Sequence, residues 1–464
     1  MNRQFRLACT AALAIGTLTN LHAQQASPNV AAPPAAGNAA RRALPTGPVQ
    51  NDKYRTTYVR LGANDDEGLL YEPVTPSPNA RIAIVSIHPN GNVFNMETGR
   101  EMASRGYRVL MVNHHGESDT AEQFAPGISR GVTWLRSLPG VQHVVLSGHS
   151  GGGHLVTFYQ NVAENGPSAC QGAEKIYPCS GEGLTGLAKP DGLILLDSTI
   201  GAFHGMSSID PAEMEGGKRN PALDMFTAAN GYDLTAKRAT YSAEFAKRFY
   251  AAQAARNAKL LDDALARLNA IKQGKGQFSD DEPLLIRGMG QNATGARLYQ
   301  PDPAFAAHTR KPYMLLKADG TTPTVIIHSV RPPTGQQSLN ALNTLNVMSN
   351  NTTVRSFLQS AIRTTADYAI TADNIVGVNW ASATTATPGN ARGVTVPALV
   401  MPMTCHYLVV QDEVIFEQLS SKDKTLVAVE GAVHGFTPCR PEYGDTVKRA
   451  FDYVDTWLGK PGRF

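Results

Sequence analysis

The chain has 464 residues, of which 42% are hydrophobic and 17% are charged, an ordinary balance for a globular protein. This length allows more than one core, or one core with a large insertion. The formal net charge of +3, without a dense Lys/Arg stripe, argues against nucleic acid as the main partner.

The N-terminus has the pattern of a secretory signal peptide. Arg3 and Arg6 form a short basic region, residues 7–18 are mostly small and apolar, and a cleavage site fits after Ala23. The apolar run is too short to span a bilayer comfortably, so no membrane anchor is predicted. We therefore expect residues 1–23 to be removed and the mature protein to be periplasmic or secreted.

Residues 24–48 are rich in Ala, Pro, Asn and Gly, which predicts a flexible leader. From Tyr54 to residue 200, segments with strand and helix periodicity alternate. The predicted strands are 54–61, 67–74, 81–88, 107–113, 142–147 and 191–196, and the predicted helices are 96–105 and 121–138. Such alternation predicts an α/β fold with a mostly parallel sheet and helices on both faces.

The alternation stops at about residue 201. Residues 201–395 include a long Ala-rich helical stretch at 242–271 and a hairpin formed by residues 313–317 and 324–330. A different kind of sequence between two similar halves predicts an insertion that covers the sheet as a cap.

The parallel pattern returns after the insertion, with predicted strands at 396–401 and 425–429 and predicted helices at 413–419 and 443–458. We therefore expect one core formed by residues 49–200 and 396–464. The cap, residues 201–395, would be inserted between the sixth and seventh core strands.

Four of the five cysteines lie beyond the predicted signal peptide. An even number in an exported chain suggests two disulfides, although the sequence alone allows three pairings. We expect Cys170 to pair with Cys179, closing a short loop that would stabilise the fold by about 2–3 kcal/mol. We expect Cys405 to pair with Cys439, because their loops are predicted to be neighbours.

Residues 148–152 read Gly-His-Ser-Gly-Gly between an apolar strand and a helix-compatible segment. A serine at the apex of such a turn is typical of a nucleophile elbow, where only small residues two places either side let strand and helix pass. Gly148 and Gly152 occupy both places, so Ser150 is the candidate nucleophile. A bare match would be weak, but the flanking strand and helix strengthen it.

A serine hydroxyl needs a base within hydrogen-bond reach, and the base needs an orienting acid. His434 is the candidate base, because it follows the last predicted strand. The carboxyl ends of parallel strands share one rim of the sheet, so this loop and the Ser150 elbow should face the same crevice.

In the Ser150 elbow, in residues 430–436 around His434 and in its strand order, the chain resembles the α/β-hydrolase superfamily. The resemblance covers about residues 54–198 and 396–458 and does not extend to the insertion. It implies a Ser–acid–His triad and acyl transfer to water through an acyl-enzyme. We expect no cofactor and no metal.

The sequence leaves two positions possible for the acid of the triad. In most members of this superfamily it follows the strand that here ends at Met401, but His406 stands where a carboxylate is expected. Some members place it after the preceding strand, a position that Asp197 holds, and Asp197 keeps the order Ser, acid, His. Glu413 or Asp412 is the alternative, since either could reach the base from the adjacent loop.

The oxyanion of an acyl-transfer reaction needs two donors aimed at the developing charge. The amide of Gly151, the residue after the nucleophile, is one candidate. The second should come from the loop after the strand at 81–88. Pro89 has no N–H, so Asn90 is the candidate, with Gly91 next.

The leading hypothesis is an exported serine hydrolase that cleaves a carboxylic ester through an acyl-enzyme on Ser150. Its partner would be a small-molecule or polymeric ester, with no nucleic acid and no membrane anchor. The same triad would also serve a peptidase or an amidase. A binding protein that keeps the fold is a third reading, which the presence of both Ser150 and His434 disfavours.

Overall fold

The computed structural model describes residues 51–62, 66–89, 92–114, 120–290, 295–334 and 349–464. The predicted signal peptide, residues 1–23, and the predicted leader, residues 24–48, lie outside these ranges, and both stay predictions.

The main sheet has ten strands within the described residues, in the order β1-β2-β4-β3-β5-β6-β15-β16-β10-β11. Within that part of the chain, β2 and β11 run antiparallel to their neighbours and the other strands of this sheet are parallel to one another. These strands are β1 Tyr54–Arg60, β2 Glu67–Pro73, β3 Ile82–Ile87, β4 Arg108–Asn113, β5 His143–His149, β6 Gly192–Leu196, β10 His308–Leu316, β11 Thr324–His328, β15 Ala398–Met401 and β16 Lys424–Val429. The mostly parallel sheet that the sequence predicts is confirmed, and its order is that of the α/β-hydrolase fold.

The helices are α1 Glu97–Ser104, α2 Ala121–Ser137, α3 Gly152–Asn165, α4 Ala202–Met206, α5 Ala243–Lys272, α6 Val354–Gln359, α7 Thr387–Ala391, α8 Val409–Gln418 and α9 Thr446–Leu458. Short 3₁₀ turns lie at Pro78–Arg81, Pro167–Cys170, Glu215–Gly217, Ala228–Asn230, Trp380–Ser382 and Pro441–Tyr443. No helix in the described ranges is both long enough and apolar enough to span a lipid bilayer.

Two apolar layers cover the sheet, one on each face. Successive strand residues point to opposite faces, so Val144 and Leu146 pack with α2, α3 and α8, whereas Val145 packs with α1 and α9. Because both faces are covered, the central strands are almost uninterrupted runs of aliphatic residues, as expected for a buried parallel sheet.

The two parts of the core meet where β6 pairs with β15. Leu193 lies opposite Ala398 and Leu196 lies opposite Met401, in parallel register. The chain therefore leaves the sheet after β6, forms the insertion, and returns directly beside the strand that it left.

In its described residues, the insertion contains the long helix α5, against which β13 packs, and three two-stranded ribbons. The ribbon strands are β7 Tyr232–Asp233, β8 Arg238–Ala239, β9 Pro283–Arg287, β12 Ser349–Thr353, β13 Arg363–Ile370 and β14 Ile375–Asn379. Buried aromatic side chains on α5, such as Phe249 and Tyr250, pack into the same apolar cluster as α2 and α3.

One hairpin of the insertion extends the main sheet. Strand β10 pairs in parallel with β16, and β11 closes this side of the sheet. The sequence predicts the hairpin but assigns it to the cap. An unpaired β16 would expose a row of backbone N–H and C=O groups, and pairing with β10 satisfies them.

Both disulfides are present with the predicted pairing. Cys170 and Cys179 have their Cα atoms 5.5 Å apart, and Cys405 and Cys439 have theirs 6.3 Å apart. The second bond joins the loop after β15 to the loop after β16. Two disulfides fit an oxidising compartment, such as the periplasm or the cell exterior.

Candidate active site

Ser150 lies at the sharp turn between β5 and α3. Its φ of +55° falls in the left-handed region, which a non-glycine residue rarely adopts. The neighbouring strand fixes this turn, because Ser150 N donates to Leu196 O at 3.2 Å and Thr199 N donates to Ser150 O at 3.0 Å. Strain of this kind persists only where the surroundings hold it, and it is concentrated at functional sites.

Two glycines make the turn geometrically feasible. A Cβ on Gly148 would lie 2.6 Å from the backbone of Gly152, and a Cβ on Gly152 would lie 2.2 Å from Ile87 O. Both distances are well inside van der Waals contact, so any side chain at either position would force β3, β5 and α3 apart.

Asp197 directly follows β6, the neighbour of β5. Its side chain is fully buried and its φ is +44°. Its Oδ1 accepts a hydrogen bond from Met403 N at 3.1 Å, and its backbone N–H donates to Met401 O at 2.9 Å. The carboxylate is therefore fixed between the ends of β6 and β15.

His434 lies in the loop after β16, and the structure brings it to Asp197. Its Nδ1 donates to Asp197 Oδ2 at 2.6 Å, a short hydrogen bond to a charged acceptor. With Nδ1 protonated in this way, Nε2 of the neutral ring is left with a lone pair.

His434 also lies against the nucleophile elbow. His149, which immediately precedes Ser150, donates through Nε2 to His434 O at 2.7 Å, and the two rings are 4.6 Å apart. Residues 285 positions apart in the sequence thus meet at the carboxyl ends of β5 and β16.

The alternative acids have other hydrogen-bond partners. The Glu413 carboxylate accepts hydrogen bonds from Arg310 N at 2.8 Å and Lys311 N at 3.1 Å, on β10. Asp412 accepts from Ser198 N at 3.2 Å and is fully buried. Of the three carboxylates considered from the sequence, Asp197 is the one hydrogen-bonded to His434 in the described residues.

Gly151 is the N-cap of α3, where backbone N–H groups are free of helical partners and favour negative charge. A Cβ on Gly151 would come within 2.8 Å of Pro89 Cγ and 3.3 Å of His88 Nε2, so these two residues bound the space beside it. Asn90 and Gly91, the predicted sources of the second donor, lie outside the described residues and stay predictions.

The surroundings of the site hold several neutral histidines. Burial, reinforced by the nearby His434, lowers the pKa of His149 to about 3, so its ring is uncharged at neutral pH. Burial, with a smaller effect of His88, lowers the pKa of His154 to about 4. Burial also holds the pKa of His204 well below its usual value, and Arg297 lowers it further.

The pKa values of the buried carboxyl groups of Asp197 and Asp412 are shifted in opposite directions. Burial alone would raise the pKa of Asp197, but His406 and His434 outweigh it and hold the pKa well below its ordinary value. Burial and the adjacent charge of Asp197 raise the pKa of Asp412 well above its ordinary value. Of the two groups, Asp197 is therefore the one that the site favours as a carboxylate.

Asp197, His406 and His434 each offer a ligand atom within 4.8 Å of the others, which is close enough for a metal ion. A zinc ion would need the lone pairs of both Nδ1 atoms, at about 2.0–2.1 Å from the ion. The two Nδ1 atoms instead approach the carboxylate oxygen itself, at 2.6 and 2.7 Å. These distances leave no room for an ion between the groups, so we interpret the cluster as a carboxylate that is hydrogen-bonded to His434 and in close contact with His406.

Two features of the site were not predicted from the sequence. One is the hydrogen bond from His149 to the backbone of His434, and the other is the contact between His406 and Asp197. A signal existed for the second feature, because His406 stands where a carboxylate is usual in the superfamily. Its partner depends on how two loops pack, which the local sequence does not specify.

No protein-family profile matches the sequence, and no curated protein matches it. Among solved structures, the chain is similar to Est1E from Butyrivibrio proteoclasticus, at 11% identity and a TM-score of 0.38, over 87% of this chain and 97% of that one. It is similar to a hypothetical protein from Pseudomonas aeruginosa, at 13% identity and a TM-score of 0.39, over 88% of this chain and 94% of that one. Esterase B from Lactobacillus rhamnosis gives 21% identity and a TM-score of 0.25, over 32% of this chain and 50% of that one. Likeness at this level carries no information about the reaction, which has to be argued from the chemistry of the site.

Proposed function

We propose that the protein is a serine hydrolase that cleaves carboxylic esters through an acyl-enzyme on Ser150. One observation carries the proposal: a buried Asp197–His434 hydrogen bond lies against the strained turn that presents Ser150. An imidazole hydrogen-bonded to a carboxylate, beside a serine at an elbow, is the arrangement that activates a hydroxyl for nucleophilic attack.

In the proposed reaction, Ser150 Oγ attacks the ester carbonyl carbon while His434 Nε2 takes the hydroxyl proton. The tetrahedral intermediate collapses to an acyl-enzyme, and His434 returns that proton to the departing alcohol. A water molecule then attacks the acyl carbon, with His434 again as base, and releases the carboxylic acid and free Ser150.

Asp197 would orient His434 and stabilise the imidazolium that forms in each step. It is suited to this role because it keeps its negative charge although it is buried. The N–H of Gly151 would donate to the oxyanion, and Asn90 is the proposed second donor.

We further propose that the protein acts after export, with residues 1–23 as the signal peptide and residues 24–48 as a leader. The two disulfides support an oxidising location. The insertion, residues 201–395 as predicted, would border the crevice and shape the acyl or alcohol pocket, and the substrate would be a small-molecule or polymeric ester.

The proposal is tested with a panel of p-nitrophenyl esters of varied acyl length and aromaticity, together with peptide anilides. We expect ester hydrolysis by the wild type and a loss of about 10⁶-fold in kcat for Ser150→Ala. Ser147→Ala is the matched control, because its buried hydroxyl has no hydrogen-bond partner among the residues that the structure describes, and it should keep wild-type activity.

A clear preference for the anilides would contradict ester cleavage and favour a peptidase or an amidase with the same triad. Ester hydrolysis that survives Ser150→Ala would contradict the proposed nucleophile.

A further inference from the structure

Two imidazoles converge on one carboxylate oxygen. His434 Nδ1 is 2.6 Å and His406 Nδ1 is 2.7 Å from Asp197 Oδ2, and the rings of the two histidines are 4.4 Å apart. The contact from His434 is aligned as a hydrogen bond, whereas the contact from His406 is as close but not aligned. The reaction proposed above uses only one of these imidazoles.

The backbone and the ring of His406 are held from several sides. Its N–H donates to Met403 O at 3.1 Å, and its carbonyl accepts from Ser329 Oγ at 2.9 Å. The Tyr407 ring is 4.1 Å from the imidazole, and the preceding residue, Cys405, is in a disulfide. With only 18% of its side chain exposed, His406 is part of the packed site and not a mobile surface residue.

The charge balance around Asp197 explains why a second imidazole is useful there. Within the described residues, the hydrogen bonds to this buried carboxylate come from Met403 N and His434 Nδ1. Removing a hydrogen-bond donor from a buried carboxylate destabilises the protein, because water cannot reach the carboxylate to replace the lost hydrogen bond. The His406 ring supplies a third contact, with its Nδ1 2.7 Å from Asp197 Oδ2, and this contact helps to lower the pKa of Asp197.

Only one of the two imidazoles is expected to carry a positive charge at a time, since like charges this close disfavour each other. Burial lowers the pKa of His406, and Asp197 opposes this effect. His406 therefore remains neutral when His434 takes up a proton from Ser150. The charged or titratable groups that face His406 are Asp197, His434, Tyr407, Arg331 and His204.

We propose that His406 is a positioning residue, which holds the Asp197 carboxylate in the orientation that His434 needs and supports the His434 ring by stacking. This inference rests on the proposed function, because it gives His406 a task in that reaction. His406 does not touch the substrate in this account. It acts through Asp197 and His434.

The test compares His406→Leu, which removes the imidazole, with His406→Asn, which keeps a side-chain N–H donor near the position of Nδ1. His328→Asn is the control, because His328 is an exposed histidine on β11. For each full-length variant, kcat and KM for a p-nitrophenyl ester are measured from pH 5 to pH 9 (about the usable range for imidazole titration), together with the melting temperature.

We expect His406→Leu to lower kcat by about 10- to 100-fold, the usual effect of misplacing a catalytic group by about 1 Å, with little change in KM. We expect His406→Asn to recover most of kcat, and the control to match the wild type. The acid limb of the kcat profile should move to higher pH in His406→Leu, because His434 then has the whole charge of Asp197 to itself.

Wild-type kcat and an unmoved acid limb in His406→Leu would overturn the inference and leave the proposed function intact. If His406→Leu does not fold, His406→Ala takes its place: a displaced acid limb that His406→Asn restores supports the positioning role, and an unmoved limb in His406→Ala overturns it. Failure of the proposed function is separate, because it would appear as wild-type hydrolysis that does not depend on Ser150.

Discussion

Asp197 and Asp412 lie in one buried region, and their pKa values are shifted in opposite directions. Asp197 has His406 and His434 around it, which hold its pKa well below the ordinary range. Within the described residues, Asp412 receives one hydrogen bond, from Ser198 N, and its Oδ2 has no partner. Two neighbouring carboxyl groups cannot both ionise cheaply, so the group with the histidines takes the charge.

This difference predicts that replacing Asp by Asn has different effects at the two positions. Asp197→Asn should lower kcat by about four orders of magnitude, because an amide does not stabilise the imidazolium or fix the ring tautomer. Asp412→Asn should keep wild-type kcat at pH 7, because the amide has nearly the same shape and the carboxylate hydrogen-bonded to His434 is that of Asp197. Steady-state kinetics on both variants checks this, and a large loss in Asp412→Asn alone would reverse the two roles.

The raised pKa of Asp412 also predicts a pH dependence of stability. A carboxyl group whose folded pKa is above its unfolded value, about 3.9, stabilises the fold at low pH, and this contribution is lost as pH rises. Asp412→Asn lacks this loss, so its free energy of unfolding should gain on the wild type between about pH 4 and pH 7. Urea unfolding at both pH values measures the difference, and a gain that is larger at pH 4 would contradict the assignment.

At the level of structural elements, the Cys405–Cys439 disulfide joins the two loops that carry His406 and His434. The same loops also share hydrogen bonds, from Cys405 N to Ala432 O at 2.9 Å and from Gly431 N to Thr404 Oγ1 at 2.7 Å. The geometry around Asp197 therefore depends on this loop pair and not only on the strand ends.

Removing this disulfide should reduce activity as well as stability. The double variant Cys405→Ser/Cys439→Ser should lose about 2–4 kcal/mol of stability and about 10-fold or more in kcat, because both loops loosen. The matched control is Cys170→Ser/Cys179→Ser, whose loop follows α3, and it should lose stability while keeping kcat. Thermal unfolding and ester kinetics separate the two effects, and equal kcat values for the two double variants would refute a link between the loop pair and catalysis.

The sequence predicts the elements of the core closely, because their signals are local. Strand β5 and helix α3 each have their own periodicity in the sequence, and the glycines of the elbow indicate the turn between them. The pairing of β10 with β16 could not be predicted, because it depends on contacts between segments far apart in the chain. The approach of His406 to Asp197 has the same origin, since it requires the loops after β6 and β15 to be folded together.

At the level of the whole molecule, the sheet is continuous across the insertion. Strand β15 lies between β6 and β16, and its residues Ala398, Leu399, Val400 and Met401 are fully buried. Strand β11 is the edge strand on its side within the described residues, and Thr324, Val325 and His328 are exposed there.

This arrangement predicts a gradient of hydrogen exchange across the sheet. Amides of β15 should exchange only through global unfolding, as slowly as those of β5, although the insertion separates the two strands in sequence. Amides of β11 should exchange faster, through local opening. Exchange measured by mass spectrometry checks this, and β15 amides that exchange much faster than those of β5 would show that the two parts of the core do not form one cooperative sheet.

The central claim is that the His434–Asp197 pair activates the Ser150 hydroxyl. The most direct measurement is covalent labelling of the folded protein with a fluorophosphonate, with the modified residue located by peptide mass spectrometry. We expect stoichiometric labelling of Ser150 in the wild type, much slower labelling in Asp197→Asn, and none in Ser150→Ala. A folded wild-type protein that is not labelled, or that is labelled at a residue other than Ser150, would contradict the claim.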